Sequence, residues 1–120
     1  EYESKVYLSM QQEIKEKVMQ LQMLEQKMQT LLMQKQNFQT QLLEVENALS
    51  ELQEGSGETY KIIGNVMISV KREELKKDLG NRKEIVDLRI KNLEKQEEKL
   101  KQESTNLQSE VMKGLKKKDG

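Results

Sequence analysis

Two long stretches in which apolar residues recur every seven positions flank one short apolar block. The block runs from Thr59 to Val70, the repeat before it covers residues 6–53, and a weaker repeat after it covers residues 73–118. A seven-residue apolar repeat is typical of a coiled-coil helix. Short runs rich in β-branched residues favour strands. The chain is therefore predicted to be mainly α, a long antiparallel two-helix coiled coil with a β-hairpin at its bend.

The first helix, predicted over residues 1–54, has two apolar rows on one face. The rows are Tyr7, Ile14, Leu21, Met28, Leu42 and Leu49, and Met10, Leu24, Leu31, Phe38, Val45 and Leu52. Lys35 interrupts the first row and Lys17 interrupts the second. Polar residues in such rows often fix the register of helix pairing at some cost in stability.

The second helix, predicted over residues 72–118, has one strong apolar row. Its members are Leu79, Val86, Leu93, Leu100 and Leu107. Three residues after these we predict a polar companion row of Arg82, Arg89, Gln96 and Glu103, which leaves Ile85, Leu88, Ile90 and Val111 outside both rows. Gly80 lies within this helix, but a mid-helix Gly costs only about 1 kcal/mol relative to Ala, so a continuous helix is predicted.

Net charge supports pairing of the two helices. Residues 1–54 hold five Lys and nine Glu, a net charge of −4. Residues 71–120 hold fifteen basic and eleven acidic residues, a net charge of +4. Helices of this length would reach roughly 70 Å at about 1.5 Å per residue.

The β-hairpin is predicted over residues 58–70, with Gly64-Asn65 as a two-residue turn. A single strand through Gly64 is the alternative. Both faces of the hairpin would be apolar, and a lone two-stranded hairpin is marginal in water. Joining hairpins from several chains would cover them, whereas the alternative is a hairpin folded back on its own coiled coil. The predicted assembly residues are Tyr60, Ile62, Ile63, Val66, Met67, Ile68 and Val70.

One sequence pattern around the hairpin is that of a known family. It consists of Tyr60-Lys61-Ile62-Ile63-Gly64-Asn65-Val66-Met67-Ile68, then Glu73-Glu74-Leu75, then Leu88-Arg89-Ile90-Lys91-Asn92-Leu93-Glu94-Lys95-Gln96-Glu97. The chain resembles the β-class subunit of prefoldin in its archaeal form, and also eukaryotic β-class subunits. The resemblance covers essentially the whole chain and implies a single domain over residues 1–120.

The resemblance implies a function and a set of partners. Prefoldin is an ATP-independent chaperone, a holdase, in which hairpins of α-class and further β-class subunits join into an intersubunit β-barrel within a hetero-hexamer. The free tips of its coiled coils hold unfolded client proteins and deliver them to a group II chaperonin. No nucleic acid or membrane partner is implied.

An antiparallel coiled coil brings both chain termini to the tip, where apolar residues exceed what one seam needs. The predicted client-binding residues are Val6, Tyr7, Leu8, Met10, Ile14, Val18, Met19, Leu107, Val111, Met112 and Leu115. Exposed apolar groups bind unfolded chains, and Met adapts to varied shapes. The alternative, favoured for Tyr7, Met10, Ile14 and Leu107, is that these residues only pair the helices.

Composition argues against an enzyme. The chain has no Cys and no His, which removes thiol chemistry, the commonest zinc ligands and the usual general base. We expect no catalytic residues, no cofactor and no metal site. No apolar run has the length of a membrane span and no secretory signal is visible, so a cytoplasmic location is expected. The competing functions are a structural coiled-coil adaptor and, favoured only by the basic second half, a nucleic-acid-binding helical arm.

Overall fold

Two long helices flank an antiparallel two-stranded hairpin in the computed structural model, which describes residues 2–119 and the side chains of residues 2–116. In chain order the elements are α1 (Tyr2–Glu54), β1 (Thr59–Ile63), β2 (Val66–Val70) and α2 (Arg72–Asp119). The predicted fold class is confirmed. Glu1 and Gly120, which the single-domain prediction over residues 1–120 includes, lie outside the described residues, and that assignment stays a prediction.

The turn of the hairpin lies at Gly64 and Asn65. Ile63 pairs with Val66 across the two strands, so exactly these two residues separate the paired positions. Gly64 has a φ of +60°, and no described residue other than Gly has a positive φ. A positive φ at the first central position alone defines a type II′ turn, which suits the twist of a hairpin. The alternative of a single strand through Gly64 is wrong.

The open end of the hairpin is closed by a side chain. Thr59 pairs with Val70, and its Oγ1 donates a hydrogen bond of 2.6 Å to the Val70 carbonyl oxygen. One residue, Lys71, separates β2 from α2, and its carbonyl accepts the first helical hydrogen bond, from the amide of Leu75 at 3.0 Å. The hairpin is thus joined to α2 by a very short link. α2 then continues through Gly80 without interruption, as predicted.

The chain divides into two compact units. The hairpin unit comprises residues 34–93, and the terminal unit comprises residues 1–33 with residues 94–120. All of the buried apolar side chains among the described residues belong to the hairpin unit. They are Val45, Leu52, Val86, Ile90 and Leu93.

In the hairpin unit the two helices run antiparallel and are linked by polar contacts beside the core. Lys83 Nζ lies 3.9 Å from Glu46 Oε1. The guanidinium of Arg89 lies 5.5 Å from the centroid of the Phe38 ring, within the range of a cation–π interaction. Both contacts involve partly exposed groups, so we expect each to contribute modestly to stability.

In the terminal unit the helices also run antiparallel, and they approach closely at Gly114. A Cβ atom added to Gly114 would lie 3.1 Å from Cγ1 of Ile14, so the absence of a side chain makes room for Ile14. One turn away, Lys17 Nζ lies 3.5 Å from Glu110 Oε2. Lys17, the basic residue that interrupts a predicted apolar row, is therefore paired across the seam with an acidic residue of α2.

The predicted polar companion row of α2 is wrong. Arg82, Arg89, Gln96 and Glu103 are exposed, and the row that faces α1 lies one residue further along the chain. Its members, all buried or half-buried, are Lys83, Ile90, Glu97, Ser104 and Val111. The two seam positions of a heptad are separated alternately by three and four residues. In α2 the row of Leu79, Val86, Leu93, Leu100 and Leu107 is followed after four residues by the second seam row. Ile90 lies four residues after Val86 and Val111 four residues after Leu107, so both belong to the seam.

Candidate protein-binding surfaces

The hairpin presents apolar side chains on both of its faces. Paired residues of an antiparallel ladder point to the same face, and successive residues alternate. One face therefore carries Lys61, Ile63, Val66 and Ile68 between the Thr59–Val70 pair and the turn. The other face carries Tyr60, Ile62, Met67 and Ser69. Each face therefore carries at least two large aliphatic or Met side chains.

Its own chain does not cover this hairpin. Of the seven predicted assembly residues, Val70 is half-buried, whereas Tyr60, Ile62, Ile63, Val66, Met67 and Ile68 are exposed. Ile62 and Met67, which form a cross-strand pair, are 69% and 63% exposed. The alternative of a hairpin folded back on its own coiled coil is wrong. Two strands with apolar faces and open edges form a surface that other strands or apolar side chains can cover.

A polar contact modifies one end of the hairpin. The Tyr60 hydroxyl donates a short hydrogen bond to the Glu58 carboxylate. This bond raises the pKa of Tyr60 above its ordinary value, and desolvation acts in the same direction. Because its pKa is raised, the Tyr60 phenol is a neutral hydrogen-bond donor at physiological pH.

The predicted client-binding residues fall into two classes in the terminal unit. Met10, Ile14, Leu107 and Val111 are half-buried in the helix pair. The other predicted residues are exposed. They are Val6, Tyr7, Leu8, Val18, Met19, Met112 and Leu115. Tyr7 thus differs from Met10, Ile14 and Leu107, the residues with which it was expected to pair the helices.

Sequence reasoning missed several exposed apolar side chains. In the terminal unit these are Tyr2, Met23, Leu32 and Met33, and in the hairpin unit Leu43. Ile85 and Leu88, which were predicted to lie outside both rows of α2, are exposed as well. The heptad frame contained the signal, because each residue lies outside the two seam rows of its helix. The surplus of exposed apolar side chains in the terminal unit is therefore not confined to residues near the chain termini and reaches as far along α1 as Met33.

Open grooves lie along the helix pair of the terminal unit. One lies over Leu21, Leu24 and Leu100, beside Ser104. A second lies beside the Lys17–Glu110 pair and has charged walls that include Glu13 and Lys113. A third lies near the start of α1, and its lining is mostly apolar, with Tyr2, Val6, Tyr7, Met10 and Ile14. Apolar surface is thus accessible along this helix pair.

Two kinds of feature are absent from residues 2–119. Among residues 2–119, no three acidic side chains come together in a way that could hold a metal ion. No helix in that part of the chain combines the length and apolar character needed to cross a membrane. What the arrangement offers chemically is apolar surface on the hairpin and on the terminal helix pair.

Most of the sequence matches the model of a known family. A family model described as prefoldin subunit matches residues 15–118. The chain belongs to the prefoldin subunit family. The matched range contains the hairpin and most of both seams, so the match extends over most of the chain.

Similar proteins and a solved structure point to the β class. The chain is 40% identical over 65 residues to prefoldin subunit beta of Archaeoglobus fulgidus, a match that covers 52% of this chain and 56% of that protein. It is 39% identical over 72 residues to prefoldin subunit beta of Methanocella arvoryzae, covering 60% and 56%. The chain thus spans about half the length of the relatives it matches.

The crystal structure of the prefoldin beta subunit from Thermococcus strain KS-1 superposes with a TM-score of 0.82 at 26% identity. That match covers 86% of this chain and 92% of the other. The predicted resemblance to a β-class prefoldin subunit is confirmed.

Proposed function

We propose that this chain is a subunit of a prefoldin-type chaperone that holds unfolded proteins without ATP and delivers them to a group II chaperonin. Its partners would be α-class subunits and further β-class copies in a cytoplasmic hetero-hexamer. The observation that carries the proposal is the exposure of apolar side chains outside the helix seams, on both faces of the hairpin and around the terminal helix pair. The role is one of binding, not of catalysis.

The hairpin would form the assembly interface. Six of its apolar or aromatic side chains are exposed, and a two-stranded sheet has an unpaired edge on each strand. Hairpins of other subunits would satisfy both needs, because strand pairing uses the edges while one face packs inward. Further copies of this chain would present the same hairpin, and α-class subunits would be the other partners.

The terminal unit would hold clients through several weak apolar contacts. Leu8, Met19 and Met112 are each more than half exposed. Full burial of such a side chain is worth about 1.5–3 kcal/mol, so three partial burials supply roughly 3–5 kcal/mol. A free energy of about −4 kcal/mol corresponds to only millimolar affinity. One subunit would therefore bind a client weakly, and firm holding would require several subunits joined through their hairpins.

A matched pair of triple variants tests the client surface. The test variant replaces Leu8, Met19 and Met112, which are 62%, 56% and 57% exposed, with Gln. The control replaces Leu43, Ile85 and Leu88 of the hairpin unit, which are 58%, 52% and 60% exposed, with Gln. Gln is nearly as good a helix former as Leu or Met, so helicity should survive in both. The complex with an α-class subunit is then assayed for suppressing the aggregation of several unrelated unfolded proteins.

We expect the test variant to lose most aggregation suppression while keeping its oligomer mass, and the control to retain both. Suppression by the unmodified complex should persist at an ionic strength of about 1 M, where the Debye length is only roughly 3 Å. Full activity of the test variant, or client capture abolished by salt, would contradict the proposed surface. A structural adaptor would instead suppress no aggregation of unrelated clients.

A further inference from the structure

Arg72, the first residue of α2, joins two backbone segments that are distant in sequence. Its Nη1 donates a hydrogen bond of 2.5 Å to the Leu52 carbonyl oxygen in the last turn of α1. Its Nη2 donates a hydrogen bond of 3.0 Å to the Gly57 carbonyl oxygen in the loop before β1. One half-buried guanidinium thus links the start of α2, the end of α1 and the entry to the hairpin.

The end of α1 needs such a partner. The last carbonyl groups of a helix receive no hydrogen bond from amides of the same helix. The helix dipole also makes that end negative. Glu51 O receives the amide of Gly55 at 2.8 Å, whereas Leu52 O receives Arg72. α1 has no basic residue in its own last turn, so Arg72 supplies from α2 the cation that α1 lacks.

The loop before the hairpin is shaped to reach Arg72. It comprises residues 55–58 and contains two glycines. Gly57 has a φ of +109°, which side-chain-bearing residues rarely adopt, and its carbonyl accepts the Nη2 donor. By contrast, a single residue, Lys71, joins the hairpin to α2. Without the Arg72 contacts, only the short link would restrain the hairpin tightly.

We propose that Arg72 is a positioning residue that braces the hairpin against the end of α1 and so determines how readily subunits assemble. This inference rests on the proposed assembly of subunits through their hairpins. A loosely held hairpin would have to be ordered when subunits join, and that loss of conformational entropy weakens association. A planar guanidinium donates in two fixed directions at once, which a Lys ammonium does not reproduce.

The test compares Arg72→Lys and Arg72→Ala with Lys77→Ala, which removes an exposed basic residue from the same helix. Arg72→Lys keeps the positive charge near both helix ends but loses the paired donation. The readout is the dissociation constant of the complex with an α-class subunit, from mass measurements over a concentration series. We expect about tenfold weaker assembly for Arg72→Lys, the effect of one charge-assisted hydrogen bond per subunit, and at least as much for Arg72→Ala. Lys77→Ala should assemble like the unmodified chain.

A second readout separates bracing from general stabilisation. In dissociated chains carrying Ile62→Lys and Ile68→Lys, adding Arg72→Lys should speed hydrogen exchange at the amides of residues 55–59. Exchange in the interior of α1 and α2, and helicity by circular dichroism, should stay unchanged. A loss of helicity larger than the last turn of α1 would mean that Arg72 acts on the stability of the helices as a whole, which overturns the bracing role.

The possible outcomes distinguish this inference from the assembly proposal. If Ile62→Lys with Ile68→Lys dissociates the complex but both Arg72 variants assemble normally, bracing is overturned and hairpin assembly stands. If the double Lys variant stays assembled, both ideas are overturned. Arg72→Lys keeps the test decisive even if Arg72→Ala fails to fold.

Discussion

Charged residues on both faces of the hairpin should dissociate the oligomer and leave the helices intact. The perturbation is Ile62→Lys together with Ile68→Lys. Ile62 and Ile68 lie on different strands and point to opposite faces of the hairpin, so no orientation of the sheet in an assembly avoids both changes. Neither side chain belongs to the buried core of the chain.

The expected effect follows from the exposed fractions. Ile62 is 69% exposed and Ile68 is 44% exposed, which together amount to about one whole side chain available for burial. Complete burial of an Ile is worth about 1.5–3 kcal/mol, so the apolar loss is roughly 2–3 kcal/mol per subunit. Each 1.4 kcal/mol is a factor of about ten in a dissociation constant. Each new ammonium would also have to leave water on assembly, which adds a further cost of burying unpaired charge.

The matched control is Ile85→Lys with Leu88→Lys. These α2 residues are 52% and 60% exposed, so the same number of charges enters at the same total exposure in the same unit. Oligomer mass is measured by light scattering during size exclusion, and helicity by circular dichroism. We expect monomers for the hairpin variant and assembly for the control. An unchanged mass for the hairpin variant, or equal dissociation of both variants, would refute assembly through the hairpin.

Two further predictions concern the helix pair, and both use urea unfolding at fixed protein concentration. Gly80→Ala should raise the free energy of unfolding by about 1 kcal/mol, because Ala is the better helix former and the new Cβ has no heavy atom within 4 Å. Gly114→Ala should raise it less or lower it, because the new Cβ would lie 3.1 Å from Ile14. Equal effects at the two glycines would contradict the close approach. Lys17→Met should raise the free energy of unfolding by about 1 kcal/mol, because it restores an apolar seam residue and the exposed pair with Glu110 contributes little. Unchanged or reduced stability would show that the ion pair contributes more than seam packing.

Periodicity predicted most of the fold because two strong patterns meet abruptly. The apolar rows of α1 become buried or half-buried as expected except at Tyr7, and Gly64-Asn65 forms the predicted turn. The companion row of α2 was predicted wrongly because one row of Leu and Val is compatible with a second seam row either three or four residues later. Ile90 and Val111 lie three heptads apart, each four residues after a member of the first row, and their apolar side chains favour the four-residue spacing.

The brace at Arg72 was beyond sequence reasoning for a different reason. Both of its acceptors are backbone carbonyl groups, which every residue possesses, so no side-chain pattern identifies them. Lys17 was recognised as an interruption of the seam, but its pairing with Glu110 depends on the register of the two helices. Such contacts depend on how the two helices are placed along each other, which the heptad pattern of either helix alone does not determine.

The distribution of burial gives a physical reason why one helix pair would serve both assembly and client binding. A seam between only two helices leaves each residue open on two sides, so full burial needs well-matched apolar neighbours. The hairpin unit achieves this at five positions. Among the described residues of the terminal unit, every seam residue is half-buried at most, and Lys17, Ser104 and Gly114 reduce the apolar bulk there. Regions with few buried contacts open at low free-energy cost. A surface that adapts to many unfolded chains benefits from that weakness, whereas the unit that carries the hairpin benefits from a firm core.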